Sequence, residues 1–223
     1  MKKILTLVML FVAIGSYTLH AQGTTEIGLI GGLNYSNVSG DGIEDNSSKL
    51  GFAIGGFLTF KLSEQFALRP EIYYTNKGTD LEFKESDSGT DYEYSIEAEG
   101  TISLNYIEIP ILGVFSLNQN INIFAGPYLD YYLSGTTEVE SKETLRQYTG
   151  SEWVTETREE SNSEDIESDD INSLGYGLTF GGEYLFGQFS IGARYSLGLS
   201  NIPDDADDEL KHSNIQLLVG FYF

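Results

Sequence analysis

Residues 104–135, LNYIEIPILGVFSLNQNINIFAGPYLDYYLSG, constrain the fold more than any other stretch. Ile107, Ile109, Ile111, Gly113 and Phe115 fall on one parity, and Tyr106, Glu108, Pro110, Leu112 and Val114 on the other. After a polar turn at 117–120 the pattern restarts. Ile121, Ile123, Ala125, Pro127, Leu129, Tyr131 and Leu133 share one side, and Asn122, Phe124, Gly126, Tyr128, Asp130 and Tyr132 share the other. A period of two over two long runs joined by a short turn predicts an antiparallel hairpin. One face is a continuous apolar stripe; the other mixes aromatics, glycine and carboxylates. A soluble sandwich buries such a stripe in its core. A transmembrane barrel turns it to lipid and fills its interior with the mixed face. Length favours the barrel, because a soluble strand has ~5–6 residues and a tilted membrane strand needs ~9–11.

The same alternation recurs at 25–35, 50–62, 66–76, 174–185, 189–200 and 214–223. With the hairpin this gives eight strands. Connections alternate between short turns (63–65, 117–120, 186–188) and long acidic segments, the asymmetry of an outer-membrane barrel with short periplasmic turns and long external loops. The expected fold is therefore all-β: an eight-stranded antiparallel up-and-down transmembrane β-barrel. Pro70, Pro110 and Pro127 interrupt three strands and predict bulges, since proline removes a ladder donor.

The motifs GGLNYSN, RPEIYYTNKG, LNYIEIP, FAGPYL and ARYSLGLSNI, with an aromatic-terminated last strand, resemble the outer-membrane β-barrel domain family of Gram-negative bacteria, the porin-like or PorT-type small barrels. The resemblance spans nearly all of the chain after its leader. It implies the fold and an outer-membrane location and brings no catalytic residues. It also implies that Phe221 and Phe223 act as a C-terminal assembly signal for the barrel-assembly machinery.

The chain opens with Lys2, Lys3 and an apolar run from Ile4 to Ile14, then small and polar residues to Ala21. This reads as a signal peptide over 1–21, cleaved after Ala21, leaving 22–223 as the barrel domain. The run is too short for the ~20 residues of a spanning helix. Removing Lys2 and Lys3 from a chain of net charge −22 leaves −24, which excludes a basic nucleic-acid surface. Of the 34 acids, 28 lie in 37–49, 77–100, 135–171 and 201–212, which read as loops. The longest, 135–171, alternates weakly through Val139, Leu145, Tyr148, Trp153 and Val154. It is either a hairpin raised above the membrane or disordered.

Chemistry is sparse. The chain has no cysteine, and the one histidine beyond the leader is His212, near Asp208, Glu209 and Ser213. A loop histidine beside acids reads as solvated, and no enzyme activity and no cofactor are expected. Asp204, Asp205, Asp207 and Asp208 offer oxygen ligands without EF-hand spacing, so they are only weak metal candidates. The informative set is inside. Parity turns Lys61, Arg69, Glu71, Glu108, Asp130, Glu183 and Arg194 into the lumen. An eight-stranded interior is about filled by its own side chains, and buried ions must pair. Arg69 and Arg194 are therefore expected to pair with Glu71, Glu108, Asp130 or Glu183. Three roles remain open: a structural or interaction barrel with acidic external loops, a narrow porin-like channel, and a PorT-type accessory of protein secretion. Expected partners are outer-membrane lipid and lipopolysaccharide, the assembly machinery, and an envelope or secretion protein.

Overall fold

The computed structural model describes residues 25–40, 46–168, 171–203 and 210–223. The predicted leader, the acids at 204–209 and their metal candidates Asp204, Asp205, Asp207 and Asp208 lie outside the described residues. Nine strands form one antiparallel sheet: β1 (Thr25–Gly40), β2 (Asn46–Lys61), β3 (Phe66–Ser88), β4 (Tyr92–Ser116), β5 (Ile121–Tyr148), β6 (Trp153–Ile166), β7 (Leu174–Phe186), β8 (Phe189–Gly198) and β9 (Leu210–Tyr222). Strands pair with their neighbours in the chain, except that β7 pairs with β5 past β6, and β1 pairs with β9, so the sheet closes into a ring. Closure removes the free edges that apolar strands would otherwise expose.

The ninth strand is the departure from the expected eight. β5 is shared: its first half, from Ile121↔Tyr184 to Tyr131↔Leu174, pairs with β7. Its second half, from Gly135↔Ile166 to Tyr148↔Trp153, pairs with β6. β6 is thus the raised hairpin partner expected within 135–171.

The acidic segments are also less loop-like than their charge implies. In 77–100, β3 and β4 continue their pairing from Lys77↔Leu104 to Ser88↔Glu93, leaving three residues between the strands as the turn. β5, at 28 residues, is the longest strand. At ~3.3 Å per residue it extends roughly 90 Å, about three times a hydrocarbon layer of ~30 Å. Together β3, β4, β5 and β6 raise a four-stranded sheet past the ring. Leu81, Gly100 and Val139 stand in one cross-strand row, and Lys84, Glu97, Lys142 and Glu159 in another on the opposite face. Acids with solvent on both faces do not oppose strand pairing, which the alternating charges of the second row support.

The prolines do not produce bulges. Pro70↔Ile111, Pro110↔Tyr128 and Pro127↔Leu178 are register pairs, and the register is the same on either side of each. The extra residues lie elsewhere, between Ser48 and Ala53 of β2 and beside Asn105 and Tyr106 where β5 pairs with β4.

Candidate functional site

Along every strand of the ring one parity is exposed and apolar. Ile54 is 63% exposed and Leu217 is 61% exposed, with Leu29, Leu129, Leu178 and Ile191 alongside. The opposite parity is buried and polar. The largest fully buried side chains include Lys77, Gln216, Glu71, Glu108, Asn34 and Asn214. This inverts a water-soluble core, in which Lys and Glu are almost never fully buried.

The interior is built in layers. Nearest the short turns, Arg69 Nη2 lies 2.8 Å from Glu183 Oε1 and donates to the Tyr222 hydroxyl at 2.9 Å. Its Nε donates to Thr59 Oγ1 at 3.1 Å, and the guanidinium sits 5.0 Å from the centre of the Phe57 ring. Glu183 also accepts from Asn122 Nδ2 at 2.9 Å and from the Tyr222 hydroxyl at 3.0 Å.

In the middle layer Arg194 grips Glu71 with both forks, Nη1 to Oε2 at 2.7 Å and Nη2 to Oε1 at 3.1 Å. Its guanidinium faces the Tyr73 and Phe124 rings at 5.6 and 5.3 Å. The Tyr73 hydroxyl donates to Glu108, and Gln216 Nε2 donates to Asn34 Oδ1 at 2.8 Å.

In the layer above, Lys77 pairs with Glu108 and, at 3.2 Å, with Asp130. The Tyr106 and Tyr128 rings lie 5.4 and 5.1 Å from its ammonium. Over this layer sits an apolar cap of Val38, Leu104, Tyr106, Tyr132 and Ile202, packed by Ile102, Ile166, Ile171 and Leu210. The connection before β7 clasps the one before β9 across the cap. Asn172 Nδ2 donates to the carbonyls of Asn201 and Pro203, at 3.1 and 2.9 Å.

Glycines make room for this filling. A Cβ on Gly177 would meet the Tyr128 ring at 2.6 Å, and one on Gly181 would meet Arg194 Cα at 2.8 Å. Small clefts beside Asp130 and beside Arg194 hold about 10 Å³ each, room for one water. A funnel of about 690 Å³ opens among the short turns and ends on Arg69, Asn122 and Tyr222.

Of the seven charges assigned inward, Arg69, Glu71, Glu108, Asp130, Glu183 and Arg194 meet inside the ring. Lys61 does not. It ends β2 at the rim of the funnel, where it is exposed and pairs with Glu26 at 2.5 Å. Its parity is inward, but the ring's floor is already reached at Arg69, so water solvates it. Sequence reasoning misses Lys77, which it places in an acidic loop. It also makes His212 a solvated loop residue, and the structure corrects this. His212 is buried in β9 against the cap, in register with Val38, with Nε2 3.2 Å from the Tyr106 hydroxyl. Phe221 and Phe223 sit at the short-turn end of the outer face. Phe189 and Phe221 rings lie 5.1 Å apart, as do Phe221 and Phe223, and Phe186 and Phe189 lie 6.0 Å apart. This aromatic band has the make-up of an interfacial girdle.

The family model for the outer membrane protein beta-barrel domain matches residues 20–204. The chain belongs to this family. An outer-membrane barrel of Gram-negative bacteria has its apolar parity in lipid and its ion pairs in the lumen, and that is the division seen here. Solved structures similar to this barrel include Ail, the attachment invasion locus protein of Yersinia pestis, at 15% identity over 89% of this chain and 98% of that one, with a TM-score of 0.43. Neisserial surface protein A matches at 13% identity over 90% and 99%, with a TM-score of 0.36. CarO of Acinetobacter baumannii matches at 10% identity over 86% and 97%, with a TM-score of 0.33. No curated protein matches the chain.

Lipid contact has a measurable consequence. Leu217→Arg is expected to cost about 2–4 kcal/mol in a bilayer, the penalty for a cation on the lipid face near the midplane. The check is urea unfolding in liposomes, read by the mobility shift of unheated samples on gels. At a water-exposed leucine the same change is expected to be nearly neutral.

Proposed function

We propose that this protein is a closed, non-conducting outer-membrane barrel that holds an interaction platform outside the cell. In this reading the membrane ring has eight strands: β1 to β5 and β7 to β9. β6 stands clear of it, within the sheet that β3, β4, β5 and β6 raise beyond the outer surface. The leader is removed on export, the short turns face the periplasm, and Phe221 and Phe223 guide assembly. The observation that carries the reading is the filled lumen joined to the overhanging sheet. Three ionic layers and an apolar cap leave no room for solute passage, while the longest strands, β3, β4 and β5, continue past the ring into a sheet that serves no spanning role.

The same packing argues against the porin-like alternative, because the funnel stops at Arg69. It also argues against catalysis. His212, the histidine available for acid–base work, is buried against the cap and bonded to a tyrosine. No feature of the site favours a secretion accessory over a general interaction role.

Two measurements test the reading. Purified protein in planar bilayers is expected to give no steady single-channel conductance; stable openings would overturn the closed lumen. An epitope inserted between Gly150 and Ser151 is expected to bind antibody on intact cells. Labelling only after outer-membrane permeabilisation would overturn the external platform.

A further inference from the structure

β6 is one exposed margin of the raised sheet; the other is the short end of β3 past Leu81, which carries Lys84. The 14 residues of β6 pair with β5 alone among the described residues, and all but Ile166 are exposed. The pairing is regular from Tyr148↔Trp153 to Gly135↔Ile166, with no register shift. The strand contains no proline. A long, flat, unbroken edge of this kind presents a row of unpaired backbone donors and acceptors, which is a template for another strand. Proteins usually shield such edges with a bulge, a proline, a short strand or lysines. None of these protects β6.

Its guard is charge of one sign. β6 carries Glu156, Glu159, Glu160, Glu164 and Asp165 against the single cation Arg158. Arg158 is already engaged, 2.5 Å from Glu160. Beside the edge, Glu97, Glu99, Glu140, Glu159 and Glu160 line a trough of about 460 Å³ together with Lys142. A one-signed guard is selective. It repels neutral aggregation-prone strands weakly and acidic strands strongly, and it attracts basic ones. It also rejects a second copy of β6, whose own acids would face these.

We infer that β6 is a docking edge for a basic, extended polypeptide segment, which adds to the sheet as a further antiparallel or parallel strand and places lysine or arginine side chains over the acidic trough. Backbone pairing supplies the register, and the glutamates supply the choice of partner. The inference rests on the external platform proposed above and names the chemistry of its partner.

The test uses the full chain purified in neutral detergent and a fluorescein-labelled ten-residue peptide of alternating lysine and valine. Anisotropy is expected to show binding that weakens steeply with salt, and hydrogen exchange is expected to slow at the β6 amides. Two controls separate strand addition from charge alone. The same peptide N-methylated at every backbone nitrogen keeps its charge but cannot pair; it is expected to bind at least tenfold more weakly. An alternating glutamate–valine peptide is expected not to bind. The variant E156Q/E159Q/E160Q/E164Q, altered at exposed positions, is expected to weaken the lysine peptide at least tenfold while leaving the gel mobility of the folded barrel unchanged. Equal binding of the methylated peptide, no loss in the variant, or β6 amides already protected in a dimer without peptide would each overturn the inference. If the epitope near Gly150 labels intact cells and the lysine peptide still fails to bind, the docking edge falls and the external platform stands.

Discussion

Arg194→Ala will lower the unfolding free energy of the barrel by about 3–5 kcal/mol, the cost of leaving a buried charge without its partner. Arg194 is 3% exposed and holds both oxygens of Glu71, which is fully buried. Truncation strands the Glu71 carboxylate in the middle of the lumen and removes the guanidinium from the Tyr73 and Phe124 rings, a loss of about 1–2 kcal/mol within the total. The matched variant E71L/R194M removes both charges and roughly keeps the volume. It is expected to recover most of the deficit, because a buried pair can often be replaced by apolar side chains at little cost. Urea titration in liposomes, read by gel mobility, gives the free energies for the double-mutant cycle. Salt up to 1 M is expected to leave the single variant's deficit unchanged, since the pair lies beyond the reach of screening ions. A deficit below about 1 kcal/mol would mean that water reaches Glu71 and that the lumen is open.

The partners in that cycle lie 123 residues apart, and here the sequence stops being informative. Parity alone identifies Arg69, Glu71, Glu108, Asp130, Glu183 and Arg194 as inward, because a strand with lipid on one side cannot turn ions outward. Which cation meets which acid depends on how β1 closes on β9 and how far each strand is staggered, and no local pattern encodes that. Lys61 shows the limit of parity from another side. Its face is assigned correctly, but facing inward brings burial only between the floor and the cap.

The overhanging sheet is hidden by a different physical fact. Alternation is visible where one face meets lipid or core. Past the membrane both faces meet water, so Glu82, Glu85, Glu97 and Glu99 are as acceptable on a strand as in a loop. A remnant of the pattern survives in Leu81 and Phe83, Ile96 and Ala98, and Val139, which continue the inward-facing side of the ring. Charge density reads as loop there, although it reports only solvent.

Lys77 is the main casualty of that reading, and its removal is the second large effect expected. The parity that runs through Arg69, Glu71, Tyr73 and Thr75 reaches Lys77 and Thr79 without a break, and both are fully buried. Lys77 is the cation shared by Glu108 and Asp130, which lie opposite each other in the β4–β5 register. Lys77→Met keeps most of the length of the side chain and its apolar packing, loses the ammonium that faces the Tyr106 and Tyr128 rings, and leaves two buried carboxylates facing each other. The expected loss is again about 3–5 kcal/mol, in line with breaking a buried ion pair. Removing the repulsion as well, in K77M/E108Q/D130N, is expected to restore most of the stability, since the Tyr73 hydroxyl can still donate to the amide carbonyl that replaces the Glu108 carboxylate. If the triple variant is no better than K77M, the loss comes from the missing ammonium–ring contacts and packing rather than from uncompensated charge. If K77M itself is neutral, water or a cation from solution replaces the ammonium. The cap of Val38, Leu104, Tyr132 and Ile202 would then not seal the lumen, and the closed-barrel proposal would fail with it.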